Sequence, residues 1–553
     1  MSSVQPLDPA QKCPSSVSVF WLGALVLLLA FKLVCALTGY PPTWCDEVVY
    51  TEPAVNFVNE GVFASPGLAQ QLELTGAGGF DQHSFLNVPL AGYARVAIYK
   101  LVGTEQSGRR ITDWIFLVLA TGALFFALRQ WCALEISVFC TIPFVLHKTV
   151  GNDQGRPDLL SLTFGLLAFA ILSRQLRPEI KDLAAKGRTW TALLVGFLIG
   201  LSGLTHQFGG VFWAFIIVVV KVTQEGRALG WLTLTRWAAF VGVGGLAGIS
   251  LWLPQIFHAP DVWAMQFSHM LNLKHHLLKS FPGSLSETVQ DTVFRNPCLF
   301  LVLIAGLAIK RKKRSITDIR LVLIGCLIVL AIWRCYSFEP YLQAYSIHFW
   351  AVICILLGLA AGDLIEYAQD RFPTKRPARI ANTLLGVVLL GGMMSLYTPF
   401  IEVFMLSSAK ARADAIQLLH SSIAERDRVL AGPAWYFAVP STNKSAWVWT
   451  EKIDLNDYDA VVTSYPSKQS APAFRDRDQY IDCFTPEQSQ VFLKNFELVA
   501  SVTPSSTNTN TSLACFDDYI SAVAKRLGML NHHAPQIAGC YIYRNLHPVQ
   551  TVK

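Results

Sequence analysis

Trp44-Cys45-Asp46-Glu47-Val48-Val49-Tyr50 begins a few residues after an apolar run from Val17 to Leu37, and the two stretches together decide how the chain is read. The run is long enough to cross a ~30 Å hydrocarbon core at about 1.5 Å per residue. Asp46 and Glu47 then lie just past its end, at the membrane surface, where a carboxylate meets polar head groups and a water-soluble substrate together. On a helix Tyr50 and Ala54 share the face of Asp46, while Glu47 points roughly 100° away. An acid at a helix start also stabilises the helix by ~0.5–2 kcal/mol, so a capping role stays open beside a functional one.

Of 553 residues, 52% are hydrophobic and only 15% charged, with a mean hydropathy of +0.39, against about 25% charged in ordinary soluble domains. This is the composition of an integral membrane protein. The net charge of +7 does not point to nucleic acid, because the basic residues fall in short loops between apolar runs rather than on one polar face. About eleven spans are predicted, near 17–38, 111–128, 132–148, 158–173, 189–204, 208–221, 236–254, 297–310, 320–335, 346–362 and 380–399. Alternate loops collect Arg174 to Arg188, Lys221 to Arg236, Lys310 to Arg314 and Arg371 to Arg379, which the positive-inside rule assigns to the cytoplasm. The opposite, external face receives the acidic loop 39–110, the loop 255–296 and everything after about 400. Lys32 interrupts the first run, which reads as a signal anchor rather than a cleaved leader.

Beyond about 405 the apolar segments shorten to strand length, at 428–432, 458–464, 496–502 and 539–544, with polar or helical stretches between them. The expected organisation is a helical membrane domain over 1–404 and a small external α/β domain over 405–553. Cys35, Cys140, Cys326 and Cys354 lie within spans and read as small apolar fillers. Cys483, Cys515 and Cys540 in the tail leave room for one disulfide and one thiol. No phosphate-binding loop, dinucleotide fingerprint or zinc-spaced Cys/His set is present.

The order of these features resembles a family. One span is followed by Asp46-Glu47, then by Asp81-Gln82-His83 with Pro89-Leu90, then by Arg109-Arg110 opening the second span. Gly155-Arg156-Pro157-Asp158 opens a later one. The layout is similar to the polyprenyl-phosphate-sugar-dependent glycosyltransferases of the C type (GT-C), which include protein O-mannosyltransferases and the aminoarabinose transferases of lipid A. It departs from the aminoarabinose transferases at 81–89, which lacks their lysine and one of their paired prolines, leaving His83 as the nearby substitute for binding phosphate. The resemblance implies a donor sugar on a polyprenyl phosphate, a lipid, glycan or protein acceptor, inversion at the anomeric carbon, and a plasma-membrane location with the catalytic loop and tail on the external, periplasmic side.

Such chemistry needs a base for the acceptor's proton and cations for the departing phosphate. Asp46 is the expected base, with Glu47 orienting a partner or a sugar hydroxyl. Arg156, Arg110 and Arg334 are placed at interface depth to clamp phosphate, with His83, Asp158 and His206 as further substrate-binding candidates; snorkelling span-end residues are the alternative for the arginines. No cofactor is required, and a divalent metal is left open. A transporter or flippase of lipid-linked sugars with a binding module as its tail is the alternative of a different class; it would need charged or broken mid-span positions, which are few here.

Overall fold

The computed structural model describes residues 16–37, 45–73, 76, 78–85, 87–147, 155–176, 187–276, 304, 318–337, 346–371, 407–446, 453–463, 486–502 and 540–547. The expected span at 297–310 apart from Ile304, the expected span at 380–399, Lys148, Lys310 to Arg314, Glu339 to Tyr345, Cys483, Cys515 and the Ser/Thr/Asn stretch at 505–512 lie outside these residues.

The first run forms α1 (Ser16–Leu37), and the acidic motif opens α2 (Cys45–Glu60). The rest of the first loop folds as α3 (Pro66–Glu73) and α4 (Leu90–Val102). The bundle continues with α5 (Gln106–Arg129), α6 (Leu134–Leu146), α7 (Asp158–Gln175) and α8 (Gly187–Thr205). Next come α9 (Gln207–Ile249), the short α10 (Leu253–His258) and α11 (Pro260–His276), then α12 (Ile319–Ser337) and α13 (Ser346–Arg371). Among the described residues, six helices are long and apolar enough to cross a membrane, and three shorter apolar helices accompany them. The sequence reading put separate spans at 208–221 and 236–254. α9 joins two helices across a kink at Gly230, whose φ of 68° is non-helical, and Gln207–Gly226 and Gly230–His258 are each long and apolar enough to span, in line with that reading. Glycine reaches that region without the steric cost a side chain would carry.

A large core, including Phe116, Leu124, Phe144, Phe169, Trp213 and Trp350, holds the bundle together. Backbone approach is closest between α8 and α9, where a Cβ on Gly196 would stand 2.0 Å from the Val241 carbonyl oxygen. Small residues substitute for hydrophobic drive at such helix contacts in lipid. Cys35, Cys140, Cys326 and Cys354 are buried thiols within helices, as fillers would be.

α11 reaches the first loop through Gln266, which accepts from the Phe85 N–H at 2.7 Å and donates to the carbonyls of His83 and Gly78 at 2.9 and 3.1 Å.

The C-terminal region comprises α14 (Ser407–Ser422), β1 (Arg428–Ala431), α15 (Pro433–Tyr436), β2 (Asn443–Ala446), β3 (Ala460–Thr463), α16 (Pro486–Asn495), β4 (Phe496–Val502) and β5 (Cys540–Asn545). The sheet order is β2-β1-β3-β5-β4. β1 runs parallel to β2 and β3, whereas β5 is antiparallel to β3 and β4. Four strands match the expected segments; β2, whose Asn443-Lys444-Ser445-Ala446 carries no apolar alternation, does not. Cys540 is a buried thiol in β5. Side chains alternate between the two faces of a strand. Leu430, Val461 and Tyr543 therefore pack with Phe492 and Phe496, while Val429, Ala431, Val462 and Ile542 share a second core with Trp435, Leu419 and, from the first loop, Val48, Leu68 and Phe80. The sheet thus sits directly on the loop that carries the acids.

Candidate active site

Glu47 and Asp46 occupy the first turn of α2 but have different surroundings. Glu47 is fully buried, and each of its oxygens takes a guanidinium: Arg109 Nε donates to Oε1 at 2.7 Å and Arg110 Nη2 to Oε2 at 2.5 Å. Burial alone would raise this carboxyl, but the two arginines outweigh it and hold the group at about 2. The network extends inward. Arg110 Nη1 and Arg95 Nη1 bind the two oxygens of Asp113, at 3.2 and 3.0 Å, and Arg95 Nη2 donates to the Arg156 carbonyl at 3.1 Å. Gly155 completes it with an N–H to Asp113 Oδ2 at 3.1 Å. Its φ is +68°, and a Cβ there would stand 2.7 Å from Glu47 Cγ, so glycine suits the position on both counts. Arg109 and Arg110 both point into the protein and do not snorkel at the span end.

Asp46 remains 31% exposed, and its Oδ2 accepts from Arg156 Nη1. Arg156 is buried beneath the ring of Tyr50, 5.2 Å from its centroid, and is anchored from behind by Asp158, whose Oδ2 accepts from Nε at 2.9 Å. Asp158 is the first residue of α7 and fully buried. Its other oxygen, Oδ1, faces His206 Nδ1 at 3.6 Å and His348 Nε2 at 4.0 Å. Four of the expected site residues, Asp46, Arg156, Asp158 and His206, thus form one connected chain from solvent to the bundle interior. A cleft lined by Tyr50, Pro53, Ser84, Asn87, Gly92 and Pro157 opens one turn along α2 from Asp46.

The other candidates are placed differently. Glu47 and Arg110 neutralise each other in the buried cluster, so both are committed to holding α2 against α5 in this state. His83 faces His258, with ring centroids 5.3 Å apart; partial burial and that neighbour lower its pKa. Arg334 falls within α12, but its side chain lies outside the described residues. Among the described residues no three His, Cys, Asp or Glu side chains form a metal-binding set. The two acids of the motif are occupied by guanidiniums, which does not fit a divalent ion.

The sequence reading missed Arg95, Asp113 and His348. The signal available for them was an ionisable residue inside or at the mouth of an apolar helix, which in lipid requires a partner. It also missed the link to the tail: Tyr436 donates to Glu52 Oε1, which accepts the Gly67 N–H as well, at 2.8 Å, and Arg109 stacks on Phe437 with its guanidinium 4.0 Å from the ring centroid. Burial raises Glu52 to about 7 against those two hydrogen bonds.

No protein-family model and no curated protein matches the sequence. Solved structures do match in fold. ArnT from Cupriavidus metallidurans, bound to undecaprenyl phosphate, aligns with a TM-score of 0.56 over 79% of this chain and 87% of its own, at 14% identity. The same protein in the apo state gives 0.50 over 96% and 98%, at 13% identity. The Archaeoglobus fulgidus oligosaccharyltransferase, in complex with Zn and sulfate, gives 0.51 over 94% and 88%, at 11% identity. The chain therefore has the fold of the GT-C glycosyltransferases and is an integral membrane protein. The particular relatives it is similar to are ArnT and the archaeal oligosaccharyltransferase, at identities that establish the fold alone.

Proposed function

We propose that this protein is a membrane glycosyltransferase that takes a sugar from a polyprenyl phosphate and passes it to a lipid, glycan or protein acceptor on the external face of the membrane. The observation that carries the reading is the pairing of a half-exposed carboxylate, Asp46, with a buried guanidinium, Arg156, beside a cleft at the mouth of the bundle. Undecaprenyl phosphate in the structure of ArnT supports the donor class, and the basic loops at the other end of the spans support the sidedness.

In the reaction the acceptor oxygen or nitrogen attacks the anomeric carbon and the bond from that carbon to the phosphate oxygen breaks. The bonding pair leaves with the polyprenyl phosphate, and the acceptor's proton passes to Asp46. Arg156 serves both partners in turn. Before the donor arrives its Nη1 holds the Asp46 carboxylate; a donor phosphate competes for that N–H, and its arrival frees Asp46 to accept a proton while the guanidinium stabilises the charge growing on the leaving oxygen. Asp158 keeps the guanidinium in place throughout. Glu47 acts through structure, fixing the first turn of α2 that carries Asp46.

A transporter is the weaker reading. Other ion pairs in the described bundle, Lys221–Glu225 at the end of the α9 segment before the Gly230 kink and Arg320–Asp363 at the start of α12, do not mark a mid-membrane path.

Asp46→Asn keeps the shape and removes the proton acceptor. Turnover, read as release of polyprenyl phosphate from a polyprenyl-phosphate sugar by purified protein, should fall by about 10²–10⁴-fold. Turnover within about threefold of wild type would remove Asp46 from the reaction.

A further inference from the structure

His348 opens α13 and is fully buried, a place where a histidine needs an explanation. The indole N–H of Trp213 reaches its Nδ1 at 3.1 Å. An indole nitrogen can only donate, so Nδ1 is the acceptor and carries no proton. The proton of the neutral imidazole is thereby assigned to Nε2, which stands 4.0 Å from Asp158 Oδ1. Neither of those two atoms has a hydrogen-bond partner among the described residues. The ring has little freedom to turn away: Phe208 and Phe212 lie 5.7 and 5.5 Å from it, centroid to centroid. A Cβ added to Gly209 would stand 2.8 Å from its Cε1.

We propose that His348 is a positioning residue for the phosphate clamp: Trp213 fixes its tautomer, so that Nε2–H is aimed at Asp158 Oδ1 and holds that carboxylate with Oδ2 turned to Arg156. The 4.0 Å separation is about 1 Å beyond a direct hydrogen bond, and the bond forms when these two side chains approach by that amount with a phosphate held at Arg156. The inference rests on the glycosyltransferase reading above, because it gives Arg156 a ligand. Trp213, His348 and Asp158 come from three different helices, so the device also ties the clamp to the packing of the bundle.

The test separates the two nitrogens. His348→Gln places an amide donor near the position of Nε2, while His348→Asn places a carbonyl acceptor near Nδ1 and loses the donor. Binding of undecaprenyl phosphate to the purified full chain should be close to wild type in His348→Gln and about tenfold weaker in His348→Asn, the lower end of what a hydrogen bond to a charged group contributes. Equal affinities for the two variants, or the reverse ranking, overturn the proposal. Arg156→Ala is measured alongside. If wild type and Arg156→Ala bind the lipid alike, the phosphate reading of Arg156 fails, and the clamp role of His348 fails with it. A second readout does not depend on the lipid. In the full chain labelled with ¹⁵N-histidine, the signal missing from His348→Gln should show a protonated Nε2 and a bare Nδ1, and the opposite tautomer overturns the assignment whatever the binding result.

Discussion

Replacing Glu47 by glutamine would remove the carboxylate that Arg109 and Arg110 share, while leaving both guanidiniums buried. The distance between an ordinary glutamate at 4.5 and the value of about 2 held here corresponds to about 3 kcal/mol in favour of the ionised carboxylate. The side chain is fully buried, so solvent screens little of it, and the figure agrees with the ~3–5 kcal/mol typical of breaking one side of a buried ion pair. Thermal unfolding of the purified protein in detergent near neutral pH should show a Tm lower by several degrees for the variant. Because the folded-state pKa is depressed, this stabilisation is complete above about pH 4.5 and is lost as pH falls toward 2, so the gap between wild type and variant should narrow in acid. An unchanged Tm with abolished turnover would show that Glu47 works on substrate and not on the architecture of α2. A gap that widened in acid would refute the electrostatic account.

Glu52 has the opposite sign. Its pKa is raised to about 7, so its contribution to stability is complete below the ordinary value of 4.5 and is lost as pH rises to 7; Glu52→Gln should flatten Tm against pH in that window, and an unaltered slope would refute the assignment. For sidedness, cysteines placed singly at the exposed Ser421 of the tail and at Gln175 at the end of α7, in a background lacking accessible thiols, should label from opposite faces of the membrane. Labelling from one face would reverse the topology.

Hydropathy made the spans legible because lipid demands long uninterrupted apolar helices. α1, α7 and α8 begin and end within about two residues of their expected limits. At α9 the polar stretch from Lys221 to Arg227 announced the break, and two apolar segments meet at the kink of Gly230. β2 was hidden because it is short and polar, and its pairing with β1 depends on backbone groups that any sequence supplies. Within the site, the residue types were legible and their partners were not. Asp46 and Arg156 are far apart along the chain, as are Glu47 and Arg110, and nothing local distinguishes an arginine that reaches inward to a carboxylate from one that snorkels. His348 and Arg95 are the instructive omissions. Each is an ionisable side chain on a helix of mainly apolar residues, and each has a named partner in the structure.

The helix bearing Asp46 is gripped from two directions: by Arg109 and Arg110 on the bundle side, and by Tyr436 through Glu52 on the tail side. One consequence concerns inheritance. A domain joined to its neighbour only by a linker can be exchanged between proteins, but this tail places Tyr436 against the same short helix that bears Asp46 and Phe437 against Arg109. A chimera carrying a foreign tail would release Glu52 and leave Val48, Leu68 and Phe80 uncovered. The two halves of the chain must therefore diverge together, and in a lineage of such proteins the tail's sheet should track the first loop more closely than the spans that separate them.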